Sequence, residues 1–281
     1  MNKALQRKKA ESFREMHQGP DILVLGSVWD VASAIVFERA GFRALGTSSA
    51  GIAYMRGYAD GEIMSRGEML EAVAEIASRV DIPVSADMEN GYGHSPDDVA
   101  ESCRLVLEAG AIGVNIEDTT GDPARPLVDL ALQCEKIRAI RKMADAFGVP
   151  LVINARTDPF WLKLWDEERR LRESIERCNA FRESGADCLF VPGALDPKTI
   201  GTLAREIRGP LNILAMPTCP TVKELQALGV RRVSQGSGPS RAALKVAHDI
   251  ATELLTQGTY GAYQRNAIPY AEANALFASR N

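Results

Sequence analysis

No apolar run in this chain approaches the roughly 18 residues that carry a helix across a bilayer, because charge, Gly or Pro interrupts each one. The opening stretch MNKALQRKKAESFREMH is charged and lacks the apolar centre of a signal peptide. A cytoplasmic protein without a membrane partner is therefore expected. Basic excess is missing too. The 33 Lys and Arg stand against 37 Asp and Glu, for a net charge of −4, which argues against a nucleic-acid partner. The five cysteines, Cys103, Cys134, Cys178, Cys188 and Cys219, are odd in number, scattered and without a C-x-x-C pair. Neither a disulfide framework nor a zinc site is expected, and buried free thiols are. Only three histidines occur, His17, His94 and His248, too separated to suggest a histidine metal centre.

What the chain does have is alternation. Short β-branched apolar runs alternate with longer amphipathic segments, the pattern of βα units around a parallel sheet. Candidate strands are Ile22–Val28, Ala44–Ser49, Pro83–Glu89, Ile112–Asp118, Leu151–Thr157, Cys188–Gly193, Leu211–Met216 and Arg232–Gly236. Eight in succession argue for a closed (β/α)8 TIM barrel, and 281 residues suit one such domain over 1–281. Helices over Ser65–Val80 and Ser95–Gly110 carry start signals: Ser65 with Glu68 three residues on, and Ser95 followed by Pro96. The charged run in Glu167–Gly185 reads as a solvated outer helix face. An N-terminal helix to about His17 is expected to cover the barrel bottom. A helical extension over 258–281, with Tyr260, Tyr263, Tyr270 and Phe277, is too apolar for a free tail and should pack on the body or on a partner subunit.

A barrel of this type works at the carboxyl ends of its strands. Here those ends are acidic. The third candidate strand ends in Asp87-Met88-Glu89-Asn90-Gly91, and a period of two turns Asp87 and Glu89 to one side. The fourth ends in Asn115-Ile116-Glu117-Asp118, which puts Asn115 and Glu117 on one side and Asp118 on the other. Three converging carboxylates repel one another unless protons or a cation lie between them, and a hard divalent ion such as Mg2+ is the simplest solution. Arg156, closing the fifth strand, has a planar fork suited to a carboxylate, either a ligand's or that of Glu117 or Asp158. The small-residue turn Ser48-Ser49-Ala50-Gly51 after the second strand offers N–H groups and hydroxyls to an oxyanion.

Taken together, Trp29-Asp30-x-x-Ser33-Ala34, Ser48-Ser49-Ala50-Gly51, Asp60-Gly61, Asp87 through Gly93, Val114 through Asp118 and Asn154 through Asp158 resemble the isocitrate lyase/phosphoenolpyruvate mutase superfamily. The resemblance implies Asp87 as direct metal ligand, Glu89 and Glu117 holding the metal through water, and Asp60 beside the substrate. It implies that Arg156 and the groups of Ser48, Ser49 and Ala50 bind the substrate's acid groups. Mg2+, with Mn2+ as substitute, is the implied cofactor, and a dimer or tetramer that exchanges its last helix the implied assembly.

The chain also departs from the superfamily's lyases. Their Lys-(Lys/Arg)-Cys-Gly-His loop is replaced by Thr119-Thr120-Gly121-Asp122-Pro123-Ala124-Arg125-Pro126. Val191-Pro192-Gly193-Ala194 and Met216-Pro217-Thr218 stand where methylisocitrate lyases carry a Glu and an Asn. The expected function is a Mg2+-dependent lyase or decarboxylase that passes through an enolate of a small 2-oxo or 2-hydroxy carboxylic acid. The alternatives are a phosphonopyruvate hydrolase or mutase type of P–C bond enzyme, and a keto-acid-binding barrel without turnover.

Overall fold

Parallel strands cannot be joined by tight hairpins, so each needs a crossover, and here the crossovers are helices. The computed structural model describes residues 2–278, so positions 279–281 of the expected C-terminal extension lie outside the described residues. The strands are β1 (Leu23–Val24), β2 (Gly26–Val28), β3 (Leu45–Thr47), β4 (Val84–Asp87), β5 (Gly113–Ile116), β6 (Val152–Arg156), β7 (Cys188–Phe190), β8 (Leu211–Leu214) and β9 (Arg232–Ser234). The helices are α1 (Lys3–Met16), α2 (Val31–Arg39), α3 (Ser49–Met55), α4 (Arg66–Arg79), α5 (Pro96–Glu108), α6 (Leu130–Phe147), α7 (Glu167–Glu183), α8 (Pro197–Glu206), α9 (Val222–Ala227), α10 (Gly238–Gln257), α11 (Gly261–Asn266) and α12 (Tyr270–Phe277).

All pairings between strands are parallel, in the order β1-β9-β8-β7-β6-β5-β4-β3-β2. The two ends of that order are halves of one run. β1 pairs with β9 and β2 with β3, and Leu25 between them donates its N–H to Val233 O at 2.9 Å. The first strand therefore changes partner at Leu25 and closes the ring, giving the expected eight-unit TIM barrel. The predicted strands overshoot mainly at their carboxyl ends. Pro83–Glu89 shortens to Val84–Asp87, and Ala44–Ser49 to Leu45–Thr47, because the chain leaves the ladder there to build the mouth. Ser48 is not part of a turn between elements but the cap of α3, its Oγ accepting from Gly51 N at 3.2 Å.

The helix signals behave as the sequence leads one to expect. Ser65 and Glu68 form a capping box at α4, and Ser95 and Asp98 form one at α5 with Pro96 in the first turn. The charged run of α7 is mostly solvated, with one exception. Arg177 turns inward and its Nε meets Asp118 Oδ2 at 2.7 Å, while Thr157 Oγ1 and the Asp158 N–H also donate to that carboxylate. Asp118 thus faces the helix layer, opposite to Glu117.

The bottom of the barrel is sealed by α1, which buries Gln6, Ala10 and Phe13. Phe13 fits because position 113 is glycine. A Cβ there would lie 3.0 Å from Phe13 Cε1 and 2.8 Å from Ser85 Oγ. His17 caps the arrangement, donating from Nδ1 to Phe13 O at 2.8 Å, with its ring edge-on to Phe13 at 4.8 Å. At the other end of the chain α12 touches α2, yet Tyr270 is 86% exposed and Leu255 of α10 is 88% exposed. Cys103, Cys134, Cys178 and Cys188 are buried and Cys219 is half-buried. Among the described residues no helix is long and apolar enough to cross a membrane.

Breaking a fully buried ion pair leaves one charge uncompensated. Arg177→Met should therefore lower unfolding stability by about 3–5 kcal/mol, read from urea midpoints, whereas Arg169→Met on the exposed face of the same helix should change it by less than about 0.5 kcal/mol.

Candidate functional site

The residues singled out in the sequence come together. Ser48, Ser49, Ala50, Asp60, Asp87, Glu89, Glu117 and Arg156 all line one cavity of about 600 Å³ at the carboxyl ends of the strands. Asp87 ends β4 and is held from three directions. Ser49 donates to its Oδ2 from N at 3.1 Å and from Oγ at 2.9 Å, and Asn115 Nδ2 donates to its Oδ1 at 2.7 Å. Asn115 is held in turn by Asn154 Nδ2, which donates to Asn115 Oδ1 at 2.8 Å. A relay of amides on β6 and β5 thus fixes the carboxylate on β4.

Glu89 lies past the end of β4, at φ +50, and its neighbours Gly91 and Tyr92 are also left-handed. Gly91 is required by its φ of +102 and by space, since a Cβ there would lie 2.7 Å from Val99 Cγ1. The loop is clamped from two sides. Glu62 N donates to Glu89 Oε2 at 2.6 Å while the Glu62 carboxylate accepts from Asn90 N at 3.1 Å and Tyr92 N at 2.9 Å. Lys136, buried on α6, donates to Asn90 Oδ1 at 2.6 Å, and Asn90 Nδ2 donates to Thr119 O. Tyr92 hydroxyl donates to Glu89 Oε1 at 3.0 Å.

Glu117 ends at Arg156, Oε2 to Nη1 at 2.6 Å. The same guanidinium meets Asp158 in a fork, Nε to Oδ1 at 2.7 Å and Nη2 to Oδ2 at 2.9 Å. Arg156 is therefore shared by two protein carboxylates, and any ligand must use its remaining N–H groups. The Ser48 turn is similarly committed: Ser48 N donates to Val28 O at 2.9 Å and Ser49 N to Asp87, whereas Ala50 N lies in the first turn of α3. Asp60 sits beside these groups, accepting from Ser49 Oγ at 3.3 Å.

Crowding of acids shows in their protonation. Burial, then Asp87 and Asp60, push Glu89 up to about 7. Burial and then Asp87 also raise Asp60, and burial raises Glu117 well above the usual carboxylate range against the pull of Arg156. The donor set suits a hard cation: carboxylates and amide or hydroxyl oxygens, with no Cys or His lining the cavity. Among the described residues no three acidic, His or Cys side chains converge closely enough to enclose an ion by themselves. The three carboxylates expected to converge, Asp87, Glu89 and Glu117, thus line one cavity without closing into a ligand set.

Sequence reasoning missed the lower half of the cavity. Ser27, Ser85, Asn154, Asn212, Arg232 and Ser234 line it where a barrel interior is usually packed with branched aliphatic residues. The available signal was a strand beginning Arg-Val-Ser, whose period of two turns Arg232 and Ser234 to the same side. In the replaced loop, Thr119 lines the cavity, whereas Arg125 points to solvent near Asp122.

Known proteins resemble the whole of this architecture. The family model described as phosphoenolpyruvate phosphomutase matches residues 13–255. An uncharacterized protein of Mycobacterium tuberculosis is 35% identical over 94% of this chain and 95% of its own. The oxaloacetate decarboxylase of Pseudomonas fluorescens is 30% identical over 88% of this chain and 86% of its own. A Burkholderia cenocepacia structure, provisionally assigned as a lyase/mutase, superposes with a TM-score of 0.93 at 37% identity, covering 99% of this chain and 98% of that one. The chain belongs to the phosphoenolpyruvate phosphomutase family, within the isocitrate lyase/phosphoenolpyruvate mutase superfamily.

Proposed function

We propose that this protein is a Mg2+-dependent lyase or decarboxylase acting on a small 2-oxo or 2-hydroxy carboxylic acid. The observation that carries the reading is the surplus of carboxylates, Asp60, Asp87, Glu89, Glu117 and Asp158, around one cavity that also presents the α3 amino end. A pure binder of acids has no use for that surplus negative charge. Asp87 would hold the metal directly, with Glu89 and Glu117 acting through its waters and Mn2+ as a substitute. Bound there, the ion would act as a Lewis acid on a 2-oxo carboxylate and stabilise an enolate.

The chain's own groups divide the remaining tasks. The remaining N–H groups of Arg156, the Ala50 N–H and the hydroxyls of Ser48 and Ser49 orient the ligand's acid group, the Ser48 and Ser49 amides being already committed to Val28 and Asp87. Asp60, raised by burial and Asp87, can keep a proton beside the ligand at a pH where an ordinary Asp is ionised. Trp161 and Phe190, with ring centroids 5.9 and 5.8 Å from the Arg156 guanidinium, keep bulk water from it. The P–C bond reading is the second choice, because a phosphonate needs extra donors and the Thr119–Pro126 loop turns its Arg125 outward. The exposed Leu254, Leu255, Tyr260 and Tyr263 support a homo-oligomer, dimer or tetramer, burying this C-terminal face, and the compartment proposed for it is the cytoplasm.

The deciding measurement is a screen for pyruvate or glyoxylate release with Mg2+ over oxaloacetate, isocitrate, methylisocitrate, citramalate-type acids and phosphonopyruvate. Turnover of none of them would remove the enzyme reading. Asp87→Ala should abolish Mg2+-dependent turnover and calorimetric Mg2+ binding while the melting temperature holds, since a mouth residue adds little to the core.

Protonation of Glu89 gives a pH signature. Below about 7 its carboxyl is largely neutral, so a cation must displace the proton, and Mg2+ affinity should rise as pH increases through that value. Glu89→Gln should flatten the rise, and a profile unchanged by that substitution would remove Glu89 from the metal's shell.

Cys134 stands on α6, buried, and does not line the cavity. Cys134→Ser should therefore leave turnover within about threefold of wild type, with a packing cost of about 1 kcal/mol. Loss by orders of magnitude with the fold intact would restore a cysteine-dependent lyase.

A further inference from the structure

The cavity holds two buried arginines in opposite circumstances. Arg156 is met by Glu117 and Asp158. Arg232, 3% exposed, lines the cavity floor, and its Nε and Nη1 are buried with no hydrogen-bond partner among the described residues. Beneath it is the Phe13 ring, 5.9 Å from the guanidinium carbon. The charged and titratable groups that act on it are few. Asp87 attracts it from the mouth, the buried Cys188 thiol is pushed up to about 12, and His17 is held down to about 3 by burial and then by Arg232 itself. At neutral pH both the thiol and the imidazole are uncharged.

A buried cation with idle donors is costly, and a barrel interior normally avoids the cost by being aliphatic. Here its surroundings are polar and small. The Ser85 hydroxyl is likewise buried with no hydrogen-bond partner among the described residues, Asn212 on β8 is the Cα partner of Arg232, and Ser234 follows two residues on along β9. A guanidinium and a hydroxyl, both with idle hydrogen-bonding capacity, thus line the same cavity.

We propose that Arg232, with Ser85, is a carboxylate-binding subsite at the floor of the cavity. It would take the acid group of a small organic acid whose other end lies at the Asp87 level. This rests on the carboxylic-acid reading above and adds to it a residue that the sequence comparison did not single out. The same guanidinium chemistry would also hold a free inorganic anion, so the test separates the two sources.

Full-length protein is titrated calorimetrically with malate and with succinate in the presence of Mg2+, at constant ionic strength with the bulky sulfonate HEPES as the counter-ion. Mg2+ alone is titrated in parallel. Arg232→Met should weaken acid binding by about tenfold or more, the loss expected of a charge-assisted hydrogen bond, while Mg2+ affinity alone is kept or tightened because a positive charge facing Asp87 is gone. Arg232→Lys, which keeps the charge without the fork, should recover most of the acid affinity. Unchanged acid affinity in Arg232→Met would mean that only water occupies the floor. Joint loss of acid and Mg2+ binding would make Arg232 structural. Should Arg232→Met not fold, Arg232→Gln takes its place with the same expected loss, and unchanged acid affinity in that variant would equally mean that only water occupies the floor. A wild type that binds neither acid would defeat the carboxylic-acid reading itself. Crystals soaked in bromide would then decide between an inorganic-anion site, shown by an anomalous peak at the guanidinium, and none.

Discussion

Mutual repulsion among carboxylates is the constraint around which this barrel mouth is built. Two carboxylates about 6 Å apart repel by roughly 3 kcal/mol at an effective dielectric of 20, and several line this cavity. The loops answer that repulsion with neutral donors more than with cations. Asp87 receives a backbone N–H, a hydroxyl and an amide, and Glu89 receives a backbone N–H and a phenol. Such donors fix the direction of a carboxylate without cancelling its charge, which leaves the charge available to a cation. Arg156 does cancel charge, and it does so for Glu117 and Asp158, on the side of the cavity away from Ser49.

Local strain is concentrated in the same place. Glu62, Glu89 and Tyr92 are non-glycine residues with left-handed backbone, and the three lie in two loops that hydrogen-bond to each other. Each such residue costs on the order of 1 kcal/mol or more, and persists only where its surroundings over-determine it. Lys136 and Asn90 supply that determination by tying the loop after β4 to α6 and to the loop after β5. Rigid placement of the acids is thus distributed over three consecutive βα units.

Much of this was legible in the sequence because barrels have a regular grammar. The eight units, the capping boxes at Ser65 and Ser95, the inward pair Asp87 and Glu89 and the outward Asp118 all follow from period and position. Strand ends were misjudged because apolar character continues past the last ladder bond, as at Met88, which is buried yet outside β4. Arg177 was hidden in a run of charges whose average behaviour is solvation, and only the three-dimensional register with Asp118 distinguishes it. Arg232 was hidden differently. It opens the expected strand, at the end opposite to the carboxyl ends where barrel chemistry is sought, and the ladder turns it inside. The commitment of the Ser48 and Ser49 amides depended on the start of α3, which a seven-residue helix announces too weakly to be read in advance.

The Phe13 seal gives the barrel the topology of a well instead of a pipe. With α1 across the bottom and glycine at 113 letting the ring seat fully, solvent and solutes reach the Arg232 level only by passing the acid layer above it. Anything released at depth must leave by the way it came, in reverse order of arrival. Helix α1, at the end of the barrel opposite to the mouth, thereby imposes a last-in, first-out sequence on whatever the cavity holds.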